Sequence, residues 1–192
     1  MDFARPALND DEHQDDEEES TVAEQQPVPW ALLAADAATV ARYRAKVYDR
    51  GPDRCAYYLG AISSSGHGKL RAGSRKTDTS RVVTAHVLGF VIAYGAQALA
   101  PGAVVRHRCD ESSCQQPTHW TSGERLDNIR DYYARSHRAG HALGDVRGPD
   151  GRAVAIREAI LTAQANGADV EAAIAAAIAA GNPSGASQDA LF

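Results

Sequence analysis

The stretch His107-Arg108-Cys109-Asp110-Glu111-Ser112-Ser113-Cys114-Gln115-Gln116-Pro117-Thr118-His119 sets two cysteines and a histidine at C-x4-C-x4-H spacing. Thiolates and an imidazole this close on one tight loop suit a tetrahedral zinc site, which takes four ligands. Cys55, the remaining cysteine, can supply the fourth donor from the first strand of a β-rich stretch. Four protein ligands close the coordination shell, so such a zinc is structural and catalysis lies elsewhere. It pins the loop to the sheet and supplies folding energy where the core is thin. Three cysteines cannot all pair within one chain, which excludes a disulfide framework.

Immediately before the loop, Ala103 to Arg106 reads as a short strand. His107 stands two residues before Cys109, so strand alternation turns both to one side. It is an alternative ligand, or a residue held beside the metal for another purpose. Asp127-Asn128 lies on the first turns of a helix predicted from Glu124 to Arg138. A strand ending in His, a stapled loop and a helix carrying Asn make a ββα unit. There a neutral imidazole can take a proton from water while an amide oxygen holds a hard cation such as magnesium.

Upstream, Leu32, Leu33, Val40, Tyr43 and Val47 recur at helical spacing from Trp30, and Gly51-Pro52 stops the run. Cys55 to Ile62 reads as one strand, Ser63 to Gly66 as a turn and His67 to Ala72 as the returning strand. Arg81 to Thr84 is a third strand, and Ala85 to Tyr94 a buried helix ended by Gly95. His86 on that helix is expected to be a hydrogen-bonded core residue, and His67, His137 and His141 to lie at the surface. Downstream, the glycines of residues 141–151 mark a linker. Ala153 to Ala165 and Val170 to Ala180 then form alanine-rich helices capped by Gly167 and Gly181. Neither is strong enough alone, so Ile156, Ile160, Ile174 and Ile178 are expected to pack as a helical hairpin over 152–182. With few exposed bases beyond Arg152 and Arg157, that hairpin suits packing, against its own domain or in a homodimer, better than DNA reading.

Charge is split along the chain. Residues 1–30 carry ten acids against Arg5 alone, whereas the stretch from Arg42 to Arg138 carries 16 bases and 8 acids. Residues 1–29, with few apolar side chains and a block of like charge, are expected to be a disordered leader. The basic body behind it suits a polyanionic partner. No run reaches the ~20 apolar residues of a membrane span. Met1-Asp2-Phe3 lacks the layout of a signal peptide, so a cytoplasmic protein is expected.

The order of these features resembles the HNH, or His-Me finger, endonucleases, especially the zinc-stapled branch that includes the His-Cys box homing endonucleases. The likeness runs from about Tyr43 to Arg138. It rests on the approach to Cys55, the hairpin Gly60 to Leu70, Ala85-His86 and the string His-x-Cys-x4-Cys-x4-His-x8-Asn ending at Asn128. It implies an α+β fold with a zinc-stapled ββα-metal nuclease core over 30–140, followed by the hairpin. It implies that His107 activates water as general base, that Asn128 binds one catalytic magnesium ion, and that Cys55, Cys109, Cys114 and His119 hold zinc. It further implies that a hairpin arginine steadies the scissile phosphate: Arg75, with Arg71 and Arg81 as rivals. The implied activity is magnesium-dependent cleavage of double-stranded DNA in a phage or mobile element, within a bacterial or phage-infected cell. Two other readings keep the same residues, a non-catalytic zinc-stabilised DNA-binding module and a protein-interaction adaptor built on the hairpin. The end of the chain, 183–192, reads as a flexible tail. Its Gln188, Leu191 and Phe192 are similar to the Gln-Leu-x-Leu-Phe peptides with which replication proteins bind the bacterial sliding clamp, although Asp189 replaces the usual leucine.

Overall fold

The computed structural model describes residues 27–135 and 141–182. The expected run from Trp30 divides into α1 (Trp30–Ala35) and α2 (Ala37–Arg44). Asp36 between them has extended backbone, and its carboxylate accepts from the Ala38 and Thr39 amides. A short acidic side chain that bonds the backbone ahead of it caps a new helix better than it continues an old one. The chain leaves α2 for β1 (Val47–Tyr48), so Val47 is strand rather than helix.

The expected strand from Cys55 to Ile62 is likewise two. β2 (Tyr57–Tyr58) pairs antiparallel with β1, while β3 (Ala61–Ile62) joins β4 (Gly68–Ala72) and β5 (Arg81–Thr84) in a three-stranded antiparallel sheet of order β3-β4-β5. The Tyr58 ring sits at the change of sheet, so close over Gly60 and Gly68 that a Cβ at either would collide with it. Neighbouring strand residues face opposite ways, and β2 uses this to join two cores. Tyr58 enters the first with Leu33, Tyr43, Leu70, Val83 and Leu88, whereas Tyr57 enters a second with Ile156, Ile160 and Ile174.

Helix α3 (Ala85–Tyr94) follows β5 without a loop and ends at Gly95, whose φ of 84° lies in the region that favours glycine. β6 (Val104–His107) then pairs with β7 (Trp120–Gly123), His107 opposite Trp120. The sequence reading missed β7, because a Trp-Thr-Ser-Gly stretch carries little strand signal. Next comes α4 (Arg125–Arg135), making a ββα unit. The fold is α+β with three small sheets.

The expected linker is largely structured. Ala142–Gly144 is a 3-10 turn, and α5 (Gly148–Asn166) starts five residues before Ala153, with Pro149 in its first turn. Glycines and prolines break helix interiors, but a fixed proline φ fits a first turn. α6 (Val170–Ala180) has the expected bounds, and Gly167 ends α5 in the left-handed conformation (φ 63°). Ile178 is partly buried against the Ile156–Ile160–Ile174 cluster. The hairpin therefore packs on its own domain, tied further by Arg50 and Arg54 to Glu171 and by Arg157 to the Gly60 carbonyl. No helix among the described residues is long and apolar enough to cross a membrane. The acidic leader through residue 26, His137 and the tail with Gln188, Leu191 and Phe192 lie outside the described residues.

One buried ion network carries the union. The Arg152 guanidinium donates to Glu111 at 2.7 Å and to Asp145 at 3.3 Å, and all three side chains are almost fully enclosed. Removing one partner strands buried charge, so Arg152→Ala is expected to cost about 3–5 kcal/mol in urea unfolding. The Asp145 pKa lies below the usual carboxylate value because Arg147 hydrogen-bonds it. Its contribution is therefore fully present above the unfolded-state pKa of about 4 and is lost as pH falls through the lowered folded value. Asp145→Asn is expected to flatten the acid limb of a stability–pH curve.

Candidate metal centre

The loop between β6 and β7 is stitched to β2 before any metal is considered. The Tyr58 amide donates to the Ser113 carbonyl at 3.1 Å, the Gln115 amide to the Ala56 carbonyl at 2.6 Å, and the Arg108 amide to the His119 carbonyl at 2.8 Å. The Gln116 side chain reaches the Gly51 carbonyl (2.7 Å) and the Thr118 hydroxyl that of Pro52 (3.1 Å). These bonds bring Cys55 to the loop. It arrives from the segment just before β2 rather than from within a strand.

One donor atom each from Cys55, Cys109, Cys114 and His119 lies within 4.8 Å of the others. His119 Nδ1 is 3.6 Å from Cys55 Sγ and 3.5 Å from Cys114 Sγ. Zinc bonds of about 2.3 Å to sulfur and about 2.1 Å to nitrogen at a tetrahedral angle set those atoms about 3.6 Å apart. The four side chains can thus bind a metal such as zinc. The protonation pattern agrees with a thiolate site. Hydrogen bonds from Cys114 and Cys55 hold the Cys109 thiol far below its ordinary pKa. The bond to Cys109 pushes Cys55 up to about 12 and Cys114 further still. Three crowded sulfurs do not ionise together without a cation among them. The Gln116 amide also donates to Cys114 Sγ at 3.4 Å, the kind of outer contact that orients a ligand.

Beside this centre lies a cavity of about 280 Å³, whose wall includes His67, Arg106, His107, Asn128 and Arg152. His107 closes β6, is nearly buried, and has no hydrogen-bond partner on either ring nitrogen. Asn128 comes from the first turns of α4, so the two residues that the sequence pairs do share one cavity. Arg75 does not line it; it sits exposed on a 3-10 turn, Arg75–Thr77. Arg71 is exposed and bonds Ser80, and Arg81 donates to the Asp78 and Ser80 carbonyls. The arginines at the wall are instead Arg106, bound to Asp131 at 2.6 Å, and Arg152. Arg106 adjoins His107 on β6, whereas Arg152 reaches the cavity from α5, distant in sequence, where periodicity gave no signal.

The histidines also differ from expectation. His67 is half-buried, not a surface residue, and burial first, then the charges of His107 and Lys69, lower its pKa to about 4. His141 is half-buried, with Nε2 3.1 Å from an Asp110 carboxylate oxygen. His86 is a buried core residue hydrogen-bonded to the Val105 carbonyl, as expected. Compared with protein-family models, curated proteins and solved structures, the chain matches none of them.

Purified chain, washed in mild chelator, is expected to retain one zinc by elemental analysis. Cys109→Ser or Cys114→Ser should lose it together with hydrogen-exchange protection of β6 and β7. Fully protected strands in zinc-free protein would refute the centre's structural role.

Proposed function

We propose that this protein is a zinc-stapled, magnesium-dependent endonuclease acting on double-stranded DNA. The observation that carries the reading is the meeting of His107 and Asn128 on one cavity beside the Cys3His centre. Its support from sequence is the resemblance to the HNH endonucleases, particularly the homing-type zinc branch.

Phosphodiester hydrolysis requires an in-line nucleophile and relief of charge on the departing 3′ oxygen. His107, with a ring nitrogen unengaged by the protein, would take a proton from the attacking water. Asn128 would hold magnesium through its amide oxygen, and a bound magnesium ion would neutralise charge on the phosphate and leaving oxygen. Magnesium prefers oxygen donors and keeps several waters, which fits one amide at an open wall better than a closed cage. Arg106 stands where it can face a phosphate, with Arg75, Arg71 and Arg81 on a separate basic surface that suits the flanking backbone. The positive excess of the body would supply the remaining phosphate attraction.

Supercoiled plasmid with magnesium tests the reading, with EDTA as control. His107→Ala is expected to lower the cleavage rate at least about 100-fold with zinc content unchanged, and Asn128→Ala to shift the magnesium requirement upward. Affinity for DNA should fall steeply with added salt. Salt-sensitive binding with plasmid left intact by the wild type would favour the non-catalytic DNA-binding module. Cleavage at full rate by His107→Ala would overturn the assignment of the base.

A further inference from the structure

A second cluster of metal-type donors lies outside the Cys3His centre. His67 precedes β4, His86 lies on α3 and His107 ends β6, and one nitrogen of each lies within 4.8 Å of the others. Their ring centres are 4.9, 5.7 and 4.5 Å apart. Three imidazoles bound to one tetrahedral zinc, at about 2.0–2.1 Å per bond, place their ring centres about 5 Å apart.

The hydrogen bonds assign the nitrogens. His86 is 4% exposed, and its Nε2 lies 3.2 Å from the Val105 carbonyl oxygen. A carbonyl only accepts, so Nε2 carries the proton and Nδ1 is left with a bare lone pair. That Nδ1 is buried and has no partner. His67 Nδ1 meets the Ser65 hydroxyl at 2.9 Å, which leaves Nε2 as its outward nitrogen. Neither nitrogen of His107 has a hydrogen-bond partner of ordinary geometry, although the ring lies near enough to Cys109 to favour its thiolate. Metal-bound histidines commonly have their second nitrogen held by a carbonyl or similar group, and His86 and His67 are both held so. Buried polar atoms are otherwise nearly always satisfied. The bare lone pair of His86 Nδ1 and the two unpartnered nitrogens of His107 thus meet the outward nitrogen of His67 in one place, where a single cation would satisfy them together.

We infer that His67, His86 and His107 form a second metal site, for a borderline divalent cation of the zinc type, with its open position toward the cavity. Imidazole donors suit zinc, copper or nickel rather than magnesium, so this site and Asn128 select different ions. The consequence for activity rests on the nuclease reading: a cation here takes the lone pair with which His107 would accept a proton. Magnesium then supports cleavage and zinc in excess blocks it.

The test uses the full chain already holding its first zinc, titrated with zinc alone against a chromophoric chelator. Wild type is expected to take a second equivalent, and His67→Gln and His86→Asn to lose it while keeping the first. Circular dichroism and retention of the first zinc report the fold; His67, half-buried at a turn, is the variant least dependent on core packing. Cobalt supplied as the second equivalent should add ligand-field bands without further sulfur-to-metal charge transfer. A single equivalent in wild type, or a second one kept by both variants, would overturn the site. Cleavage, where present, should fall as the second equivalent binds, and His67→Gln should resist that fall relative to its own zinc-free rate. Two zincs bound by a protein that never cuts DNA would sink the nuclease reading and leave the site standing.

Discussion

The closure of the β6–β7 loop onto the segment before β2 is the constraint on which the rest of this structure depends. It joins Cys55 to residues more than fifty positions away through backbone bonds at Ala56, Tyr58, Ser113 and Gln115. The same loop sets the end of β6 and the start of β7, and so fixes His107 opposite Trp120. The Trp120 indole donates to the Cys114 carbonyl while its ring packs with Phe90 and Val105. On its other side the loop presents Glu111 to Arg152. A short, polar, core-poor segment thereby positions α3, α4 and α5 at once. A metal bound by three of its side chains together with Cys55 would lend it the rigidity that apolar burial supplies elsewhere.

The cavity beside the loop has its positive and neutral groups sorted. Arg106 and Arg152 are held by carboxylates, Arg106 by Asp131 and Arg152 by Glu111 and Asp145. Such paired charges give a wall a fixed shape. The imidazoles differ, since burial holds His67 and His86 neutral and a neutral imidazole is both a base and a ligand. His107 belongs to both possibilities, which is why one residue can link a hydrolytic role to inhibition by a softer metal. Geometry alone does not give the chain a reaction; the proposed chemistry comes from which donors the cavity gathers and which ions they prefer.

The packed hairpin shows how little alanine-rich helices need when another element supplies the bulk. Ile156, Ile160 and Ile174 make one stripe, and Tyr57 completes it from the sheet. Arg50, Arg54 and Glu171 close the edge with an ion cluster, which is half-exposed and contributes modestly. Glu111 and Arg152 are almost fully enclosed, so breaking that pair leaves an uncompensated buried charge.

Local pattern was sufficient wherever the determining contacts are local. The C-x4-C-x4-H loop, α3 with its glycine stop, the Arg81–Thr84 strand, α6 and the Gly167 cap could all be read from spacing, because helix periodicity, turns and chelate loops involve residues close in sequence. The pairing of His107 with Asn128 was legible because β6, the metal loop and α4 follow in one short stretch, although β7 between loop and helix was not read. The break at Asp36, the division of Cys55 to Ile62 between two sheets, and the early start of α5 were not. Each coincides with a local feature that periodicity does not carry: a capping carboxylate, the Tyr58 ring over two glycines, and a proline that suits a first turn. Only the tertiary structure decided that Arg106 and Arg152, not Arg75, stand at the cavity, and that His67 and His86 meet His107. Arg106, Arg152 and the three histidines come from β6, α3, α5 and the turn before β4, and no spacing along a chain encodes which side chains are left facing one another once the cores are packed.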